Sequence, residues 1–221
     1  HFEISGRDKD NKLLTIDREN MYYASSGLAN VINFEMVEAA NILSLNKFEA
    51  IDIYGITVNA ELTDEVQVAE ITKVSTPKRD VKAGDKVPFV VTLKPYRGKE
   101  FTKTAYFTVP KNHPGGKMPL SVRGGSSLAW AQKLLRKQQE EGMPVKETKV
   151  SLNDFVKKFN EADKNNELII DLASGVPSAM KAEAMPEAGL AGMLQGSPYK
   201  QKKAFDFIID GDKEITLHVD K

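Results

Sequence analysis

Three histidines are the side chains here whose ordinary pKa places a proton transfer near neutral pH, and none has the company such chemistry needs. His1 stands at the start, and His113 lies in the turn Asn112-His113-Pro114-Gly115-Gly116. His218 falls between Leu217 and Val219 with the outward parity of a strand. No second histidine or carboxylate stands at a ligand spacing from any of them, so each is expected to be a solvent-facing polar residue. A serine nucleophile needs an activating base and an oxyanion hole. Ser25, Ser26, Ser126 and Ser127 all sit at loop-to-helix transitions, where a hydroxyl caps backbone N–H groups, and no Gly-x-Ser-x-Gly elbow occurs. Gly124-Gly125-Ser126-Ser127 has the outline of an anion-binding loop before a helix, but lacks the Gly-Lys-Ser/Thr of a phosphate loop. Asp8, Asp10, Asn11 and Asp17 outline a calcium loop without its glycine and terminal bidentate glutamate, which leaves a solvated turn. Carboxylates are plentiful, but no pair lies in an apolar stretch that would raise one of them. Trp130 opens an amphipathic pattern and reads as a packing anchor. The residues therefore predict no catalytic group, no cofactor site and no metal ligand.

Composition narrows the remaining classes. The chain has 221 residues with 41% apolar and 28% charged, an ordinary globular balance that permits a real core. Lys+Arg and Asp+Glu both number 31, so a general electrostatic grip on nucleic acid or anionic lipid is not expected. The absence of cysteine removes disulfides, thiolate metal sites and cysteine nucleophiles together. No stretch approaches about 18 apolar residues, so no membrane-spanning helix is predicted. The sequence enters a strand pattern at Phe2-Glu3-Ile4 without a leader, which reads as a start inside a domain and hence as a fragment.

Periodicity predicts an α+β, strand-rich chain: a small immunoglobulin-like β-sandwich flanked by α/β segments. Residues 1–62 read as an α+β segment that continues an upstream domain. Residues 1–5 and 12–16 form its hairpin, and Leu28, Ile32, Met36, Ala39 and Leu43 follow at helical spacing. Tyr54, Ile56, Val58, Ala60 and Leu62 then alternate as one buried strand face. Residues 64–124 read as the sandwich, with Val87, Phe89, Val91 and Leu93 inward on one strand. Phe101, Ala105, Phe107 and Val109 face inward on the next, with Lys103 at its exposed end, and Leu120 and Val122 on a third. Val81 to Lys86 reads as a turn, and the outward Pro88 and Pro119 suit edge strands. Residues 126–173 read as helices and a short strand, with Leu152, Phe155, Val156 and Phe159 on one helical face. Residues 174–203 read as a mobile loop, and 204–221 as a β-hairpin turning at Asp210-Gly211-Asp212.

Several phrases carry a family likeness. They are His1-Phe2-Glu3-Ile4, Asn20-Met21-Tyr22-Tyr23, Val81-Lys82-Ala83-Gly84-Asp85, Val122-Arg123-Gly124-Gly125, Asn165-Asn166-Glu167-Leu168 and, most specific, Val91-Thr92-Leu93-Lys94-Pro95-Tyr96-Arg97-Gly98. On these the chain resembles the C-terminal portion of SpoIVB-type serine peptidases. Neither the Gly-x-Ser-Gly-Ser-Pro nucleophile motif nor the Gly-His-Pro motif of that family occurs here, so no catalytic residue is carried over. The resemblance implies a trypsin-like serine endopeptidase domain upstream and export beyond the cytoplasmic membrane. It implies for this chain a non-catalytic accessory or interaction role, positioning the protease or docking an envelope partner. The alternatives are structural completion of the peptidase domain itself and a free-standing cell-envelope binding protein. The expected partner is the upstream domain, another envelope protein, or a second copy joined through the N-terminal strand.

Overall fold

The computed structural model describes residues 1–44, 49–125, 152–173 and 199–220, with side chains inside the helices described except at 34, 38, 41, 42, 155 and 158. Among the described residues the chain is strand-rich, with three sheets. It divides into two compact units, and each carries its own apolar core.

In the first unit, β1 (Phe2–Asp8) and β2 (Leu13–Arg18) form the expected hairpin. The turn is organised by Asp8, whose Oδ1 accepts from the backbone N–H of Asp10 (2.9 Å) and of Lys12 (2.8 Å). Asn11 takes the left-handed conformation there. That carboxylate oxygen is thus occupied by its own backbone. Helix α1 (Leu28–Ser44) follows the bend at Ser25 and Ser26, both exposed. Ala39 and Leu43 are buried, while Leu28, Ile32 and Met36 are half-buried. Ala39, Leu43 and Met36 join Phe2, Ile4, Leu14 and Ile16 from the sheet. Leu152, Val156 and Phe159 of α2 (Leu152–Asn160) complete this core, as their helical spacing predicted.

The third strand, β3 (Ile51–Val58), corrects one expectation. Its pairing with β1 slips between Ser5 and Gly6, leaving Tyr54 as the extra residue of a bulge. One added residue reverses the parity, so Ile51 and Ile53 lean on the core instead of Tyr54. Tyr54 is 56% exposed and lies under the Arg7 guanidinium. Ile56 and Val58 pair with the buried Ile4 and Phe2, yet remain 49% and 45% exposed at the open edge. Ala60 and Leu62 lie beyond the strand and are exposed. The sheet order β2-β1-β3 also places β1 in the middle, so the N-terminal strand is paired on both sides.

The second unit stacks two sheets over one core. A four-stranded sheet has the order β11-β4-β6-β7, with β4 (Val68–Ser75), β6 (Lys86–Pro95), β7 (Phe101–Thr108) and β11 (Ile208–Asp210). A five-stranded sheet has the order β10-β9-β8-β12-β5. Its strands are β5 (Asp80–Lys82), β8 (Gly116–Gly124), β9 (Glu167–Leu172), β10 (Gln201–Ala204) and β12 (Asp212–Asp220). The predicted inward faces of β6, β7 and β8 are buried except at Phe101, which is half-buried, and Lys103 is exposed as expected. Val81 is not in a turn: it lies fully buried in β5, opposite Val219.

Three further readings change here. Pro88 and Pro119 are on internal strands, not edges. Each stands where a neighbouring ladder has ended: Thr76 donates its hydroxyl to the Pro88 carbonyl (2.9 Å), and Ala173 N–H bonds that of Pro119 (3.0 Å). The missing proline N–H faces the same finished side, so no ladder bond is lost. The C-terminal strands are not a hairpin. β11 runs parallel to β4, and β12 pairs antiparallel with β8 and parallel with β5, in the other sheet. Gly211 (φ 83) is the corner at which the chain changes sheets. The core of the second unit therefore does not close at residue 124, because Leu168, Ile170, Ile209, Ile215, Leu217 and Val219 belong to it. Within the predicted loop 174–203, residues 201–203 are strand, and residues 174–198 lie outside the described residues, as do Ser126, Ser127 and Trp130.

Candidate functional site

The most concentrated polar chemistry of the second unit lies on the outer face of its five-stranded sheet. Register places Arg123 of β8 opposite Ile169 of β9, Ile169 opposite Lys202 of β10, and Ser121 opposite Asp171. Opposed residues share a face, so Arg123, Asp171 and Lys202 stand together, away from Leu168 and Ile170. Asp163 reaches them from the connection after α2. Arg123 Nη2 lies 2.8 Å from Asp163 Oδ2 and 3.3 Å from Asp171 Oδ2. Lys200 Nζ and Lys202 Nζ close on the other Asp163 oxygen at 2.6 and 2.9 Å, and Lys202 also meets Glu167 at 3.3 Å.

Two carboxylates of this network diverge in acidity. Burial alone would raise Asp163, but Lys200, Arg123 and Lys202 overcome it and hold the carboxyl below the usual range. Burial also raises Asp171, and there Arg123 offsets the effect only in part while Asp163 adds to it. The expectation that no carboxylate pair is tuned apart is therefore corrected. Its signal was a lone charge inside the apolar run Leu168-Ile169-Ile170-Asp171-Leu172. Asp163, Lys200 and Lys202 carried no such signal, because only the fold brings β10 beside β9.

A second network orders the first unit. Arg18 is 1% exposed at the end of β2, on the parity of Leu14 and Ile16. Its Nε donates to Glu35 Oε1 (2.7 Å), its Nη1 to the Ala162 carbonyl (2.7 Å), and its guanidinium lies over the Phe159 ring. Glu35 Oε2 accepts from Asn20 Nδ2 (3.0 Å) and from the Tyr22 hydroxyl. Burial, followed by the Glu35 charge, pushes the Tyr22 phenol above its ordinary value, so it stays a donor. The parity Leu14, Ile16, Arg18 was the legible sign of a buried cation; Glu35 had none.

The histidines are scattered. His1 Nε2 lies 2.9 Å from Asp17 at the surface, and His218 is exposed on β12 as its parity predicted. His113 corrects its expectation: it is buried, its Nδ1 accepts from Gly115 N–H (3.1 Å), and burial lowers its pKa. Among the described residues no cluster of His, Cys, Asp and Glu has the arrangement of a metal site.

A cleft of about 360 Å³ runs along the open edge of β7, lined by Lys86, Thr104, Tyr106, Gln201 and Lys203 over a floor that includes Leu168 and Ile170. Compared with protein-family models, curated proteins and solved structures, the chain has no match.

Proposed function

We propose that this chain is a non-catalytic accessory and interaction region of an exported SpoIVB-like serine peptidase, which positions the protease domain or docks an envelope partner. One observation carries the reading: three of the phrases behind the family likeness supply framework contacts, while Tyr96 and Arg97 of the most specific phrase lie exposed in a turn. Val122-Arg123-Gly124-Gly125 and Asn165-Asn166-Glu167-Leu168 meet at one corner of the second unit, where Gly125 N–H bonds the Glu167 carbonyl (2.8 Å). There Gly124 passes so close to Ile209 that a Cβ would lie 1.9 Å from its carbonyl oxygen. Asn20 and Tyr22 likewise serve the Arg18–Glu35 network. Framework residues suit a rigid docking module. We further read the second unit as immunoglobulin-like. Two sheets over one core support this, and the parallel pairs β4–β11 and β5–β12 weigh against a purely antiparallel version.

The second reading, completion of the peptidase domain by residues 1–62, is favoured by the open edge of β3 with Ile56 and Val58 half-exposed. One experiment separates the two. A SpoIVB-type peptidase domain is expressed with and without this chain, and hydrolysis of a fluorogenic peptide is followed together with hydrogen exchange on 51–58. An accessory region leaves the peptidase folded alone but alters its rate or its exchange on mixing. Completion leaves the peptidase unfolded until residues 1–62 are supplied. Independence in both readouts overturns the proposal.

A further inference from the structure

The cleft beside β7 has the features of a seat for an extended strand. Among the described residues β7 is an edge, and register shows which of its backbone groups point away from β6. Thr104, Tyr106 and Thr108 pair with Val90, Pro88 and Lys86. The Pro88 carbonyl turns away from β7 to take the Thr76 hydroxyl, so this register set bonds outward on both strands. The outward groups of β7 meet side chains of β10 instead of a strand. Lys203 Nζ donates to the Thr104 carbonyl (2.9 Å). With its amide oriented to satisfy both groups, Gln201 donates to the Tyr106 carbonyl and accepts from Thr108 N–H, both at 2.6 Å. One primary amide thus fills the place of the peptide group an added strand would present.

We propose that the β7 edge, opened by withdrawal of Gln201, binds an extended acidic peptide segment by strand addition. The proposal deepens the docking role above and rests on it. The chemistry of the occupant follows from the lining. Lys86 and Lys203 make no ion pair among the described residues, and no described lining residue is a carboxylate. Leu168 and Ile170 supply an apolar floor. A strand alternates its side chains, so a segment alternating acidic and apolar residues meets both requirements at once.

Fluorescence anisotropy with a dye-labelled peptide alternating Glu and Val tests this on the full chain. The expected result is saturable binding that weakens with salt, and none for the matched Lys–Val peptide. Methylating alternate backbone nitrogens of the Glu–Val peptide should abolish binding, because strand pairing needs those N–H groups. Gln201→Ala, which clears the edge, should bind several-fold tighter, and Lys86→Glu with Lys203→Glu about tenfold weaker. Unchanged urea midpoints show that the variants are folded; should the double variant unfold, Lys86→Glu alone gives the same direction. Equal binding of the methylated peptide, polyphosphate binding as tightly as the peptide, weaker binding by Gln201→Ala, or no binding overturns the inference. No binding, with coupling to the peptidase domain intact, overturns the cleft and leaves the docking role standing.

Discussion

Asp163 and Asp171 share one arginine but have opposite linkage to pH. Asp163 is depressed, so its stabilisation is present above the unfolded carboxylate pKa of about 3.9 and is lost as pH falls through its lower folded value. Asp171 is raised, so its stabilisation is present below about 3.9 and is lost as pH rises through its higher folded value. His113 is depressed by burial and loses stability as pH falls below the ordinary histidine range, against the gain from Asp171. Comparison with single variants separates these contributions. Asp163→Ala should cost roughly 3 kcal/mol at pH 7, because Arg123, Lys200 and Lys202 stay crowded with one carboxylate fewer. Asp171→Asn should cost less than about 1 kcal/mol at pH 7, since it removes an unfavourable buried charge. Its deficit relative to wild type should grow as pH falls from 7 towards 4. Urea unfolding at stepped pH reads both, and a larger loss for Asp171→Asn at pH 7 than for Asp163→Ala would invert the assignment. Of this site, only Asp171 was legible in sequence, as a charge where an apolar run had no place for one.

At the scale of elements, alternation was a good guide wherever a strand ran without interruption. Val87, Phe89, Val91 and Leu93 are all buried, as is Phe107 across the sheet. Phe89→Ala or Phe107→Ala should therefore cost roughly 3–5 kcal/mol in urea unfolding. The misreadings come from single residues that local pattern cannot weigh. Tyr54 adds one residue to β3 and reverses its face. Asp210-Gly211-Asp212 has hairpin composition, yet a left-handed glycine serves a corner equally well. What decides for the corner is the destination of the flanking strands: Phe207 packs edge-to-face on Phe101, and Ile208 enters register with Val68. The same corner makes Gly124 irreplaceable. Gly124→Ala would drive a Cβ into the Ile209 backbone and should abolish cooperative folding, whereas Gly55→Ala meets no atom within 4 Å and should be tolerated. Circular dichroism of the two variants under identical conditions tells them apart.

At the scale of the whole molecule, the strand-rich class was legible and the chain path was not. Local periodicity reports which face of a strand is buried, not which distant strand covers it. Residues 64–124 look self-sufficient in sequence because their strands are consecutive and well patterned. In the structure, β8 is flanked on both sides by strands from later in the chain, β9 and β12. Leu168, Ile170, Ile209, Ile215, Leu217 and Val219 fill the core shared with β4, β6 and β7. Six such side chains, each contributing about 1.5–3 kcal/mol on burial, together supply on the order of 10 kcal/mol. A domain's whole net stability is about 5–15 kcal/mol, so their removal consumes most or all of it. A fragment of residues 64–124 should therefore show no cooperative urea transition, while the full chain should. Near-UV circular dichroism of the fragment, through Tyr96 and Tyr106, provides an independent readout and should be flat. A sigmoidal transition in the isolated fragment would mean that β4, β6, β7 and β8 close a core among themselves, and that the C-terminal strands only cover it.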